Sequence, residues 1–235
     1  MKKLIAFDLD GTLTQHKSPL GEKNRQALEN LSKRYKLLML GAGACRRIYD
    51  QMQGFPIEIV GNYGLQRSVI ENGEFKLVAE NRYEVDKEAV ENAVTALRDK
   101  YNLYPYSGDN VEFHASGLIT FPILGTKAKI EDKLAYDPDR KKRRVMYEDV
   151  KKAFEGYNVF IGGSSSYDIT KGDYNKFHAL KKYCDENGYD LSEVLFFGDD
   201  FEGGGNDSHV MLGGVDCVVI DDYTTFAEKA QFLLD

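Results

Sequence analysis

Two carboxylates, Asp8 and Asp10, stand where a short apolar run, Leu4-Ile5-Ala6-Phe7, gives way to Gly11-Thr12-Leu13-Thr14. A compact run of this kind, ended by acidic residues and glycine, reads as a buried parallel strand meeting a loop. The carboxyl ends of such strands are where open α/β sheets bind ligands. Residues i and i+2 of an extended backbone share a face, so the two carboxylates lie close together. Like charges at that range repel, and one pKa rises unless a cation neutralises the pair. A hard divalent ion with oxygen ligands, such as Mg2+, suits the task. One aspartate then serves as nucleophile and the other as general acid and base. On this heptapeptide alone, a glycine turn carrying two solvated aspartates remains the bland alternative.

A second acidic cluster follows the same logic. The run Val194-Leu195-Phe196-Phe197 leads directly into Gly198-Asp199-Asp200, and then to Gly203-Gly204-Gly205-Asn206-Asp207. Consecutive glycines let a loop fold tightly and bring backbone close to a ligand. If the two strands are neighbours, Asp8, the carbonyl of Asp10 and Asp199 form an oxygen-rich shell for Mg2+, supported by Asp207 and Asn206. Lys176 opens the apolar-periodic stretch Phe177-His178-Ala179-Leu180. A lysine at a helix start opposes the macrodipole, a conflict that a fixed anion nearby removes. Its ammonium is then placed to hold a phosphate and the nucleophile's carboxylate together. Lys171 is a neighbouring rival for that role.

The elements that must position these groups alternate between strand and helix. After the first strand, 21–34 reads as an amphipathic helix and 35–40 as a second buried strand ending at Gly41-Ala42-Gly43-Ala44. A helix over 45–53 leads to a third strand at 57–60 and a turn at Gly61-Asn62-Tyr63-Gly64. This order predicts an α/β fold with a doubly wound parallel sheet. Near residue 82 the pattern changes to a helix over 83–101, strands at 110–114 and 117–123, a helix around 145–154 and strands at 157–163 and 167–170. A small α+β module, 82–170, is therefore expected between two halves of a core domain, 1–81 and 171–235. The α/β pattern resumes with a helix over 176–187.

Composition narrows the function classes. The 235 residues carry a formal net charge of −7, which argues against general affinity for nucleic acid. The basic run at 139–144 reads as a solvated turn or helix start. Cys45, Cys184 and Cys217 are widely separated and suggest neither a zinc site nor a disulfide framework. The apolar segment after Met1-Lys2-Lys3 is too short for a signal peptide, and no stretch is long enough to span a bilayer. A reducing cytoplasm is the expected location.

Asp8-Leu9-Asp10-Gly11-Thr12, a lysine before a helix, and Gly198-Asp199 with Asn206-Asp207 resemble the signature motifs of haloacid dehalogenase-like (HAD) phosphohydrolases. The inserted module resembles the C2-type cap of the subfamily that includes Cof-type sugar phosphatases, sucrose phosphatase and eukaryotic phosphomannomutase. The likeness to the last of these spans nearly the whole chain. It includes Val111-Glu112-Phe113 with Pro122-Ile123, and Gly162-Gly163, Ser166 and Asp168 at the cap edge that contacts the sugar phosphate. The resemblance implies that Asp8 forms an aspartyl-phosphate. Asp10 would protonate the leaving oxygen and then activate water, and Lys176 would neutralise phosphoryl oxygens. Asp199, with Asp8 and the Asp10 carbonyl, would hold Mg2+. These roles agree with the chemistry read from the residues, since phosphoryl transfer depends on positioning and on offsetting negative charge.

Three features depart from the family pattern. Gly41, Ala42, Gly43 and Ala44 offer no hydroxyl where the family places a Ser or Thr, so backbone N–H groups must hold phosphate there. Tyr63 stands before Gly64 where asparagine is usual, with Asn62 one residue earlier. Where phosphomannomutase has cap arginines that grip a second phosphate, this chain has His114 and Gly125, with Lys127, Lys129 and Lys133 nearby. Arginine's bidentate grip is not reproduced by either residue. The expected activity is thus a Mg2+-dependent phosphatase acting on a small phosphorylated metabolite, a sugar phosphate. A phosphosugar mutase is the alternative, and a non-catalytic sugar-phosphate binder a third class. Tyr104, Tyr106, His114, Ser164, Ser165, Ser166 and Asp168 are candidates for choosing the substrate, and an exposed cap sheet is a surface on which two protomers could pair.

Overall fold

The computed structural model describes residues 1–235. The chain begins with β1 (Leu4–Phe7), α1 (Glu22–Leu31), β2 (Lys36–Leu40), α2 (Cys45–Gln51) and β3 (Glu58–Gly61), followed by β4 (Gln66–Glu71) and β5 (Glu74–Glu80). Next come α3 (Lys87–Tyr101), β6 (Glu112–Phe113), β7 (Ile119–Pro122), α4 (Ile130–Tyr136), α5 (Lys141–Ala153), β8 (Tyr157–Gly162) and β9 (Ser166–Lys171). The chain ends with α6 (Lys176–Asn187), β10 (Val194–Gly198), α7 (Ser208–Leu212), β11 (Asp216–Val219) and α8 (Phe226–Lys229). No helix is long and apolar enough to cross a membrane.

Two compact units result. The first comprises Met1–Glu80, Asn175–Glu202 and Asp207–Asp235. Its seven-stranded sheet runs β11-β10-β1-β2-β3-β4-β5, with helices on both faces. The strand period of two divides each strand between two cores. Ile5, Phe7, Met39 and Phe197 pack with Leu28, Leu31 and Ile48 of α1 and α2 on one face. Leu4, Ala6, Leu38 and Phe196 pack with Leu180, Tyr183 and Val210 of α6 and α7 on the other. Double-sided burial explains why β1, β2 and β10 are continuous apolar runs rather than alternating ones. β1 lies between β10 and β2, all parallel, with Phe7 opposite both Phe197 and Met39. The carboxyl tips of β1 and β10, far apart in sequence, therefore end side by side.

The sheet is parallel from β11 to β3, but β4 and β5 add in antiparallel sense, so the α/β core carries a mixed sheet. Asn72 and Gly73 turn that hairpin with φ of 53° and 81°. Positive φ at both central residues is the type I′ requirement, and it matches the right-handed twist of the paired strands.

The second unit comprises Asn81–Tyr174 together with Gly203–Asn206. Its antiparallel sheet runs β6-β7-β9-β8. Val94 and Leu97 of α3 and Met146 and Val150 of α5 pack on Ile119, Phe121, Val159, Ile161, Tyr167 and Ile169 of that sheet. The segment 203–206 joins this unit through the Ile161 N–H, which donates to the Gly204 carbonyl at 2.7 Å. Here α3 starts at Lys87 rather than 83, because Asp86 caps it by accepting from the Ala89 N–H. β6 is only Glu112–Phe113, shorter than the expected strand, and α4 is an additional helix with no buried residue.

Candidate active site

Asp8 leaves β1 with its N–H bonded to the Phe197 carbonyl of β10 at 2.9 Å, so the sheet ladder itself orients the start of the loop. Lys176 is the first residue of α6, a helix capped by the Asn175 side chain, which accepts from the His178 N–H. Its ammonium donates to Asp8 Oδ1 at 2.6 Å and to Asp207 Oδ1 at 2.7 Å. All three groups are buried: Asp8 is 5% exposed, Lys176 1% and Asp207 0%. The other oxygen of Asp207 accepts the N–H groups of Asp199 and Asp200 at 3.1 and 3.2 Å. Asp207 thus ties the lysine to the loop that follows β10.

Carboxylate oxygens of Asp8, Asp199 and Asp207 all lie within 4.8 Å of one another, close enough to share one cation. An all-oxygen set of this kind matches a hard divalent ion. Two glycines let the loops close to this distance. Gly11 has φ of +101°, and a Cβ there would stand 2.5 Å from Asp199 Oδ2. A Cβ on Gly198 would stand 2.6 Å from Asp207 Oδ2.

Electrostatics separate the two aspartates of the first motif. Burial pushes the Asp8 carboxyl up to about 6, against the pull of Lys176 and with a contribution from Asp207. Burial also raises Asp207 despite Lys176. Burial acts against the Lys176 ammonium as well, but Asp207 and Asp8 outweigh it and hold its pKa above the ordinary value. Asp10 goes the other way: burial acts to raise it, but Arg47, His16, Gln51 and the Lys17 N–H together hold it below the usual range. Its Oδ1 accepts from Gln51 Nε2 at 2.7 Å and from the Lys17 N–H at 2.8 Å.

Of the residues singled out from sequence, Asp8, Lys176, Asp199 and Asp207 come together. Asp10 is adjacent, with its side chain directed to α2. Gly41, Ala42 and Gly43 form the loop between β2 and α2. Ser166, Asp168 and Asn206 belong to the second unit. There Thr120 Oγ1 bridges the His114 ring and Asp168 Oδ1, each at 3.1 Å. Lys171 is exposed at the end of β9. Sequence reasoning passed over Arg47 and Gln51, which hold Asp10. The signal was available: Arg47 is a cation in the first turn of a helix, the same conflict with the macrodipole that singled out Lys176.

Residues 5–211 match the family of haloacid dehalogenase-like hydrolases. The phosphomannomutase of Saccharomyces cerevisiae is 25% identical over 225 residues, covering 89% of this chain and 85% of its own. That of Drosophila melanogaster is 26% identical over 229 residues, with coverages of 88% and 85%. Among solved structures, IMP-bound IMP-nucleotidase of Plasmodium falciparum superposes with a TM-score of 0.71 at 13% identity, over 99% of this chain and 68% of that one. At that identity the likeness concerns the fold.

Replacing Lys176 with methionine leaves two buried carboxylates without their counter-ion. The cation-free variant is expected to lose about 3–5 kcal/mol of stability at neutral pH in denaturant titrations. Unpaired, both aspartates bind protons more tightly folded than unfolded, so the loss grows as pH rises above the unfolded carboxyl range and shrinks on acidification toward it. A pH-independent loss would contradict the assignment.

Proposed function

This chain belongs to the haloacid dehalogenase-like hydrolase family, and from that premise we propose that it is a Mg2+-dependent phosphatase acting on a small phosphorylated metabolite, a sugar phosphate. The observation that carries this reading is the buried Lys176 ammonium bonded to both Asp8 and Asp207, with Asp199 in the same carboxylate cluster. In this reading Asp8 attacks phosphorus and forms an aspartyl-phosphate, while Lys176 neutralises the phosphoryl oxygens. Asp10 gives a proton to the departing sugar oxygen and later takes one from the water that attacks the intermediate. Its depressed pKa suits the second half, and the first half requires a proton taken up with the substrate. Asp8, Asp199 and the Asp10 carbonyl would hold Mg2+, with Asp207 and Asn206 in support. The ion's contribution when bound is to offset phosphoryl charge and to keep Asp8 ionised.

Gly41, Ala42 and Gly43 are assigned to the phosphoryl group, and Ser166, Asp168 and Asn206 to the rest of the substrate. The second unit is taken as a cap, the substrate-selecting insert of the chain. The free cysteines fit a reducing cytoplasm.

A phosphosugar mutase is the second reading, and the phosphomannomutases that align along most of the chain favour it. Hydrolysis is preferred because of position 125, where the resemblance places an arginine. Gly125 has φ of +85°, and a Cβ there would stand 2.6 Å from the Ser107 amide nitrogen and nearer still to its carbonyl oxygen. Any side chain at that position is strained and blocked. His114, the other replacement, is engaged by Thr120. Without a grip on a distal phosphate, water captures the aspartyl-phosphate.

Two outcomes are expected. A panel of phosphorylated metabolites assayed with Mg2+ gives inorganic phosphate from at least one sugar phosphate, with or without glucose 1,6-bisphosphate, and Asp8→Asn abolishes release. Isomer formation dependent on the bisphosphate, with little free phosphate, would favour the mutase instead. Mg2+ affinity, measured by calorimetry, is flat above the raised Asp8 value of about 6 and weakens below it. One proton must leave for each ion bound, so the loss approaches about tenfold per pH unit. Affinity that is unchanged down to about pH 5 would exclude Asp8 as a ligand.

A further inference from the structure

The carboxylates Asp10, Asp199 and Asp207 surround or adjoin Asp8, and the ammonium of Lys176 is already bonded to Asp8 and Asp207. A phosphoryl group entering such a site brings more negative charge and needs further donors. The loop 41–44 supplies no side-chain donor, being Gly-Ala-Gly-Ala. The space that a side chain at position 43 would fill is nevertheless occupied. An ideal Cβ on Gly43 would stand 2.6 Å from Arg47 Cζ and closer still to Nη2 and Nε. The guanidinium of Arg47 therefore lies against the loop where the residue-43 side chain is missing.

Its partners suit it to an incoming anion. Nη1 is anchored to Gln51 Oε1 at 2.7 Å, within the same helix. Both Nη1 and Nη2 face Asp10 Oδ2, each at 3.4 Å. Charge-assisted N–H···O bonds normally close to about 2.7–2.9 Å, so this pair is loose. The side chain is 41% exposed, which leaves it open to a ligand. Gln51 independently holds the other Asp10 oxygen, so Asp10 keeps a partner if the guanidinium turns away.

We propose that Arg47 is a phosphate-binding residue, its guanidinium supplying from α2 the paired donors that the side-chain-poor loop 41–44 lacks. The proposal rests on the phosphoryl-transfer reading above. A planar fork of N–H groups fits two phosphoryl oxygens at once, which neither a hydroxyl nor an ammonium does. Gly43 is then required because any side chain there would displace the guanidinium.

The test is calorimetric titration of the full chain with orthovanadate in saturating Mg2+, alongside titration with Mg2+ alone. Arg47→Ala is expected to weaken vanadate binding by about tenfold to a hundredfold, with Mg2+ affinity unchanged, because Arg47 bonds Asp10 only through its side chain, which Gln51 and the Lys17 N–H still hold, and not through the Asp10 carbonyl assigned to the ion. Arg47→Gln, which keeps a polar link to Gln51, behaves in the same way and guards against a folding defect in the alanine variant. Gly43→Ser weakens vanadate binding in the wild-type background. Combined with Arg47→Ala it recovers part of the loss, since its hydroxyl then has room. Vanadate affinity within about twofold of wild type in Arg47→Gln would overturn the proposal, as would a parallel loss of Mg2+ affinity, which marks a structural role. Wild-type protein that binds Mg2+ but no vanadate would instead sink the phosphoryl-transfer reading, and this proposal with it.

Discussion

The ammonium of Lys176 is held between two carboxylates that the chain brings from opposite directions, Asp8 at the tip of β1 and Asp207 beyond the tip of β10. All three groups are buried. Taking such charges out of water costs several kcal/mol per ion, and their attraction seldom returns more than that. The triad is therefore poor evidence for stability. Stability must come from the two apolar layers on the faces of the sheet, which surround β1 and β10 on both sides. What the triad imposes is geometry. The strands must be neighbours, α6 must start where its first residue reaches both aspartates, and positions 11 and 198 must carry no side chain.

That geometry produces opposite protonation tendencies two residues apart. Asp8 sits in the dry interior and is raised to about 6, because one lysine shared with Asp207 does not cancel its burial. Asp10 meets two side chains of α2, and its carboxyl falls below the ordinary range. Pairs of carboxylates whose environments push them apart mark a division of labour in acid–base chemistry. A shared cation beside Asp199 would complete the pattern, supplying the charge that Lys176 alone does not.

Much of this was legible because the relevant signals are local. The runs 4–7 and 194–197 are uniformly apolar and end in acid and glycine, so both their burial and their ligand-facing ends could be read directly. Lys176 was legible as a cation at a helix start. The hairpin β4–β5 was missed although Asn72-Gly73 is the strongest short-range hairpin signal. β5 is largely exposed, β4 is mostly half-buried, and neither has a clean alternation of apolar and polar residues, so periodicity was silent where turn chemistry spoke. α4 has no fully buried residue, only half-buried ones such as Leu134 and Tyr136, and its seven residues are too few to show a helical period. Arg47 carried a local signal, a cation in the first turn of a helix, but that signal does not disclose what the side chain packs against. Its importance lies in a vacancy at Gly43 that only the packed loop reveals.

Two of the second unit's five arginines, Arg98 and Arg143, serve its own fold. Arg98 and Arg143 are both 1% exposed, and neither is available to a ligand. Arg98 donates to the carbonyls of Pro122 and Ile123 at 2.7 and 2.8 Å and lies over the Tyr106 ring. Arg143 pairs with Asp137 at 2.8 Å and donates to the carbonyls of Gly162, Gly163 and Ser166. Both guanidinium groups satisfy backbone carbonyls at strand ends and so brace the antiparallel sheet. Moving either toward a phosphate would leave those buried carbonyls without donors, at about 1–3 kcal/mol for each group.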